Sequence, residues 1–543
     1  MVAQSGVDPK VEYILSRQSR MYPMRAIFEQ DWRDIRDLIR PVSGEINPYG
    51  PNYVPARRSD KCFDATAVDS CEELASALHS YLTSPVERWF SLEIVDAPEE
   101  MEDPEVLLWL EQTADVIFHA YSDARAQFNT ALHEIYLDLA AYGIAHLSQE
   151  WSPNGHLKFK THPVGDCWIM ENNDEIIDTI HRVLRWSVRQ IAQEFGDLPP
   201  MLAREKNIDK VCRVLHAVYP RTDRSPVGAS QKSMEFASVW LCEDTKEMLR
   251  ESGYRSFPYH CPRWVKIAGE CYGRSPAMKC LPDVRMLNSM ELTIIKAAEK
   301  IVDPPLQVPD EGFLSPIRTS PGAIMYKEPN AEHIEPLLTQ GNIPVGLEYT
   351  DRKREQIKKA FYNDWLRMEK QNTEMTAYEV QDRRDEKLRL LAPMLGRQET
   401  ELLGPMISRT LELLSDKRKF PQAPDSIIGK RMKASYSSPA SRAQTGIKAV
   451  TMGSFVQELL PLAQVNPQIM DVIDFDAYTR ELAIARGVTR TILRDQKALD
   501  AIRQNRQQQQ AMQSVAQTAE PASKAIKNLA DAQEKGGGLV GAI

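Results

Sequence analysis

The stretch of this chain closest to a catalytic pattern is Gly269-Glu-Cys-Tyr-Gly273-Arg274-Ser275. A phosphate-cradling loop of the familiar kind needs four residues between its glycines and a lysine before the hydroxyl residue to reach the phosphates. Here the spacing is one residue short and arginine stands in the lysine's place, so the stretch carries no nucleotide chemistry. Ile428-Gly429-Lys430 lacks the upstream glycine altogether. His133-Glu134 is not followed by a second histidine one turn on, which excludes the zinc-protease helix, and no Gly-x-Ser-x-Gly elbow is present. The eight cysteines are Cys62, Cys71, Cys167, Cys212, Cys242, Cys261, Cys271 and Cys280, and none forms a Cys-x-x-Cys pair. Cys261, Cys271 and Cys280 with His260 match no familiar metal spacing and are read as reduced, mostly buried thiols. Paired carboxylates such as Glu72-Glu73 and Glu99-Glu100 read as solvated charge. The expectation is a non-enzyme with no cofactor and no metal.

One cluster could act without reacting. Arg352, Lys353, Arg354, Lys358 and Lys359 crowd the first turns of a helix that continues past Arg367 to Lys370. Two readings stand. The charges can be a solvated face balanced by Asp351, Glu355 and Asp364. Alternatively they face a polyanion. One copy would make a weak patch, but many copies about an axis would make rings of positive charge, matched to a duplex carrying about one charge per 1.7 Å. In that reading Arg354 and Lys358 point into the lumen.

The elements that would position this cluster form a helix, a proline-rich excursion and a returning helix. On the first helix, Leu287, Met290, Ile294, Ala297 and Ile301 recur at alternating spacings of three and four, a narrow seam suited to neighbours in a bundle or ring. Asp303-Pro304-Pro305 stops it. The chain from Pro304 to Pro344 is dense in proline. The returning helix starts near Glu348 or Asp351 and runs to about Lys370, with Ile357, Phe361, Trp365 and Met368 as its apolar stripe. A polar break follows, then a long helix opened by the capping box Thr376-x-x-Glu379.

Upstream, helical periodicity predicts helices near Val11–Ile39, Ala65–Thr83, Pro104–Tyr121 and Phe128–Tyr142, with a strand in ERWFSLEIV after the first two. Gly143 ends the last helix. Asn154-Gly155 between AHLSQEW and HLKFKTH predicts a hairpin, and a second turns at Asn172 to Glu175. A helix at Ser187–Phe195 precedes strands in VCRVLHAVYP, FASVWLCED and WVKIAG. Downstream, LLGPMISRTLELL, Gly446–Val465 and Met470–Gly487 read as helices, and the chain closes with a glutamine run and GGGLVGAI. The fold class is α+β, predominantly helical, with the sheet mainly antiparallel.

The chain has 543 residues, 42% hydrophobic and 26% charged, so several structural regions are expected. A net charge of -9 argues against a tight, indiscriminate nucleic-acid binder but not against a surface past which DNA slides. No apolar run approaches a membrane span and no secretory signal is visible, so no membrane partner is expected.

The YGRSP turn, MLNSMELTIIKAAEKIVDPPLQV, the basic helix and MTAYEVQDRRDEK resemble the portal, or head-to-tail connector, family of short-tailed bacteriophages. CFDATAVDSCEELASALHSYLTSPVERWFSL and FNTALHEIYLDLAAYGIAHL are similar to that family's N-terminal segments, and the likeness runs in order over about residues 10–480. The resemblance implies a portal fold of wing, stem, clip and crown, assembled as a dodecameric ring at one capsid vertex. Residues 1–270 would form the wing, 271–303 the first stem region, 304–347 the clip and 348–371 the second stem helix. Residues 372–425 would hold the tunnel loop and long wing helix, 426–500 the crown, and 501–543 a partly disordered tail. Arg352, Lys353, Arg354, Lys358, Lys359, Arg367 and Lys370 would line the DNA channel. The tunnel loop would include Glu369, Gln371, Asn372, Thr373 and Glu374, and the seam Leu287 to Ile301 would meet neighbouring subunits. Implied partners are double-stranded DNA without sequence specificity, the terminase large subunit, tail adaptor and nozzle proteins, and major capsid and scaffolding proteins. The implied location is the virion, with assembly in the host cytoplasm. Rival readings are an adaptor-like protein of the head-tail junction, or a packaging enzyme, for which the phosphate loop is missing.

Overall fold

A computed structural model describes residues 8–42, 46, 61–96, 103–224, 233–307, 335–336, 343–363, 394–427 and 429–436, with 453–457, 459, 461, 473–485, 499, 502–506, 508 and 527. The chain divides into two compact units, Met1–Ala97 with Trp109–Ala440, and Pro98–Leu108 with Ser441–Ile543.

The first unit opens with α1 (Pro9–Leu38), where Asp8 caps the helix by accepting from the Lys10 backbone N–H at 2.9 Å and Pro9 sits where no amide donor is needed. Val11, Ile14 and Met21 face a five-stranded antiparallel sheet, and Phe28, Trp32 and Ile35 continue the buried stripe. That sheet has the order β4-β5-β6-β7-β8. Its strands are β4 (Cys167–Glu171), β5 (Ile177–Ser187), β6 (Val211–Pro220), β7 (Phe236–Cys242) and β8 (Glu247–Tyr254). Trp168, Val183, Leu215, Val239 and Leu241 meet α1, and each such fully buried side chain contributes about 1.5–3 kcal/mol. The opposite face is partly covered by α5 (Val188–Phe195) and the short α6 (Pro200–Ala203), through Val188, Ile191 and Leu202 against Cys212, Val214 and Cys242. Helix α5 is fixed by a capping box in which Ser187 and Gln190 satisfy each other's orphan amides.

A second layer holds α2 (Thr66–Leu82), α3 (Pro104–Ser122, in this unit from Trp109) and α4 (Phe128–Tyr142), with a small sheet β3-β2-β9. In it β2 (Leu147–Trp151) and β3 (Leu157–Thr161) form the Asn-Gly hairpin, with Gly155 at φ 83°. Strand β9 (Tyr259–His260) pairs with the start of β2. Strand β1 (Phe90–Ile94) pairs with β12 (Met432–Tyr436), far along the chain. A short π-helical turn, Glu399–Leu403, leads into α9 (Gly404–Asp416). In the second unit the described residues include α10 (Phe475–Ala485).

One expected strand is absent, and two strands were not expected. WVKIAG is not a strand; it contributes only isolated bridges, Ile144 with Arg263 and Val265 with Arg274. The reason is that Arg263 and Lys266 there are spent on ion pairs, to Glu401 and Glu171 and to Glu171 and Glu175, so the backbone follows those anchors instead of a ladder. The missed strands are β8, whose EMLRESGY lacks β-branched residues, and the two-residue β9; register with β7 decides β8, not propensity. The glycine-bounded loop 269–273 also has a structural explanation. A Cβ on Gly273 would lie 2.2 Å from the Gly143 carbonyl oxygen, and one on Gly143 would lie 2.6 Å from that of Gly273. These glycines let two backbones touch where the end of α4 meets the start of α7 (Pro276–Val302).

Candidate functional site

Helix α7 starts from a strong anchor. Ser275 accepts from the Met278 amide at 3.0 Å and donates to the Ala141 carbonyl at 2.6 Å, so one hydroxyl caps α7 and ties it to α4. Pro276 follows at the first helical position. At the far end Asp303 leaves helical geometry before Pro304 and Pro305. Immediately after this, β10 (Leu306–Gln307) pairs antiparallel with β11 (Glu335–Pro336). The proline-rich excursion is therefore closed at its base, although residues 308–334 lie outside the described residues. Helix α8 (Ile343–Ala360) then returns along α7. It starts ahead of the predicted Glu348 because Pro344 fits a first turn, and its described part stops at Ala360, where Tyr362 adopts φ 60°.

The predicted seam resolves into two environments. Leu287 is buried, Met290, Ile294 and Ala297 are half-buried, and Ile301 is exposed. Ile294 packs on α8 of its own chain, its Cδ1 lying 3.6 Å from the position a Cβ on Gly346 would take. A second row on α7, Ile295, Ala298 and Val302, is exposed, Val302 at 86%. Ile357 and Phe361 are fully buried as their spacing predicts.

The basic cluster separates more sharply. Arg354 does not extend freely: its guanidinium bridges Asp64 at 2.9 Å, Glu291 at 2.6 Å and Asp351 at 2.7 Å. Burial alone would raise the Asp64 carboxyl, but hydrogen bonds from Thr66 and Arg354 hold it below the usual carboxylate range. Lys353 reaches Asp283 of α7 at 2.7 Å, which raises its ammonium above the ordinary lysine value. Around this core Asn288 accepts from the Phe63 amide and donates to the Lys61 carbonyl, and Asn363 donates to Glu73 at 2.7 Å. Lys353 and Arg354 thus clamp α8 to α7 and to the segment leading into α2. Arg352, Lys358 and Lys359 are exposed and make no ion pair among the described residues. Arg352 and Lys359 lie two turns apart on one helix face. Arg367, Lys370 and the tunnel-loop candidates Glu369, Gln371, Asn372, Thr373 and Glu374 lie outside the described residues.

The site carries no reactive constellation among the described residues. Cys261, Cys271 and Cys280 are buried, and burial pushes the Cys271 and Cys280 thiols up to about 12. The closest grouping of metal-type ligands is one the spacing did not suggest, Cys212, Cys242 and Asp244. Its carboxylate is already held by the Arg213 amide at 2.8 Å and its guanidinium at 3.2 Å, which explains that grouping without an ion.

Comparison with known proteins agrees with this mechanical reading. The family described as "Bacteriophage head to tail connecting protein" matches residues 12–493. The chain is similar to a probable portal protein of Bordetella phage BPP-1, at 30% identity over 508 residues, covering 91% of this chain and 90% of that protein. It is also similar to the portal protein of Salmonella phage epsilon15, at 26% identity over 519 residues, covering 92% and 91%.

Proposed function

The chain belongs to the head-to-tail connecting, or portal, family of bacteriophages, and on that premise we propose that its copies form a dodecameric ring at one capsid vertex, through which double-stranded DNA is packaged and ejected. The helical hairpin of α7 and α8 is the stem, and the excursion closed by β10 and β11 is the clip. The clip receives the terminase large subunit during packaging and then the tail adaptor and nozzle proteins. The sheet-bearing first unit is the wing, set among major capsid and scaffolding proteins. The crown and tunnel loop belong to the segments after α9 and α8 respectively.

The observation that carries this reading is the sorting of charge on α8. Arg354 and Lys353 are spent on rigidity, while Arg352, Lys358 and Lys359 remain solvated on a helix fixed to its neighbours. A few free cations per subunit, repeated about an axis, centre a polyanion without gripping it. An acidic chain with net charge -9 supplies no broad attraction that would stall a moving duplex. Neighbouring subunits meet along the exposed α7 row of Ile295, Ala298 and Val302, with Ile301 beside it.

The test replaces Arg352, Lys358 and Lys359 together by glutamate. Negative-stain imaging should still show rings with a central hole, while DNA packaging or retention in particles falls severalfold. Normal packaging by intact rings would remove these side chains from the DNA path, and failure to form rings of any kind by the unaltered protein would remove the channel itself.

A further inference from the structure

Five arginines of the described residues are buried: Arg25, Arg182, Arg221, Arg263 and Arg409. A buried guanidinium cannot shed its proton, so it needs a compensating anion or dense hydrogen bonding. Four have a carboxylate at hand. Arg25 meets Glu29, Arg221 meets Glu251, Arg263 meets Glu401 and Glu171, and Arg409 feels Glu412. Arg182, 9% exposed, forms no ion pair with a carboxylate among the described residues. Its Nη1 lies 3.1 and 3.0 Å from the two ring nitrogens of His162 and 3.5 Å from the Tyr259 hydroxyl, and its Nε has no partner.

The surroundings deepen the imbalance. Sheet register sets Arg182 opposite His216, His216 opposite Trp240, and Trp240 opposite Arg250, so these four form one row on the side of the five-stranded sheet that α5 only partly covers, with Trp240 left half-buried. The row ends on the edge strand at Arg250, which is exposed. His216 stacks on Trp240 at 3.9 Å, and the half-buried Trp186 stacks on Trp240 at 5.6 Å. Arg250 lies over Phe195. Lys160 and Lys158, both exposed on β3, add further cations on the Arg182 side. The carboxylate at the rim, Glu150, is taken by the Tyr254 hydroxyl at 2.9 Å.

We propose that this row is a docking site for an acidic segment of a protein partner, a glutamate or aspartate side chain pairing with Arg182 while an apolar neighbour rests on Trp186 and Trp240. Composition favours a protein, since tryptophan and arginine are the residues on which protein interfaces concentrate binding energy. Depth favours it too. A carboxylate on a flexible side chain can reach a guanidinium that is only 9% exposed, whereas phosphates fixed on a duplex would stop at the exposed Lys158, Lys160 and Arg250. The site lies outside the stem hairpin, so it stands or falls independently of the channel reading.

The test is titration calorimetry on the full-length protein with an oligo-glutamate peptide ending in phenylalanine, beside a duplex and a single-stranded oligonucleotide. The expected result is peptide binding that weakens at least about tenfold in Arg182→Gln, the scale of one lost charge-assisted pair. Lys160→Gln combined with Arg250→Gln, both exposed, should weaken it severalfold, and that variant decides the matter if Arg182→Gln fails to fold. Trp240→Phe should cut the gain contributed by the terminal phenylalanine. Absence of peptide binding, or peptide binding indifferent to these replacements, overturns the proposal. So does tighter oligonucleotide binding lost in the same variants, which would assign the row to nucleic acid instead.

Discussion

Replacing Arg354 by alanine separates the two roles that lie side by side on α8. The guanidinium serves Asp64 and Glu291, whose side chains are only 7% and 13% exposed, and Asp351, which is 70% exposed. Removing one member of a buried ion pair costs about 3–5 kcal/mol because the other charge is stranded, whereas an exposed pair is worth about 0–1 kcal/mol. Arg354 itself is 31% exposed, so water reaches the abandoned carboxylates and the loss settles at about 2–3 kcal/mol. For a unit of this size that corresponds to a fall of about 2–3 °C in its melting temperature. Alanine at Arg352, Lys358 or Lys359 should stay within about 0.5 kcal/mol of the parent, as surface changes usually do. Thermal melts of the four single variants, read by circular dichroism, make the comparison. A double-mutant cycle with Asp64→Asn then checks the cause, since the two losses should be markedly less than additive. If Arg354→Ala melts with the parent while an exposed-cation variant does not, the sorting of charge on α8 is wrong, and the lumen-facing reading of Arg354 returns.

Two further predictions rest on packing and protonation. Alanine at Gly273 would force its Cβ to 2.2 Å from the Gly143 carbonyl oxygen, so loss of soluble folded protein is expected. Gly155→Ala meets open space at φ +83° and should cost only about 1 kcal/mol; comparable expression of the two would contradict the close approach of α4 and α7. The second concerns pH. Burial lowers His146, His181 and His260 to about 3, and holds His162 and His216 well below the ordinary value of 6.5. As pH falls below 6.5 the unfolded chain takes up protons that the folded rings refuse, so stability present above 6.5 is lost toward about 3. Each ring removes about 1.4 kcal/mol per pH unit in that window. Asp138, pushed up to about 6 by burial against the pull of Arg40, runs the other way, as do Asp178, Glu243 and Glu399, which burial also raises. Urea midpoints should therefore drop steeply between neutral pH and the acid side of 6; an unchanged midpoint would place these rings in water.

Local order in this chain was readable because local rules governed it. The helix at Phe128–Tyr142 was bounded correctly since its apolar stripe and Gly143, at φ 78°, act within a few residues. The Asn154-Gly155 hairpin and the Ser187 cap are likewise short-range devices. Strand β8 was missed because its stability comes from pairing with β7, and WVKIAG was misread because its cations are fixed by Glu171, Glu175 and Glu401. Distance along the chain, not subtlety of composition, marks what the residues alone withheld.

The candidate site obeys the same division. A run of five cations looks uniform when counted along a helix, and nothing adjacent to it says which will be neutralised. The answer comes from Asp64, 290 positions away, from Glu291 and from Asp283. Partners at that separation remove Arg354 and Lys353 from the charge that water or a polyanion meets, and leave Arg352, Lys358 and Lys359. Arg182 shows the converse. Its sequence neighbours, His181 and Val183, give no hint of importance, yet the fold surrounds it with histidine, tyrosine, tryptophan and lysine and pairs it with no carboxylate among the described residues. Free charge is therefore a tertiary quantity. In a chain that carries an excess of acid overall, a buried guanidinium left without a carboxylate ion pair among the described residues is where an anion from outside the chain has most to gain.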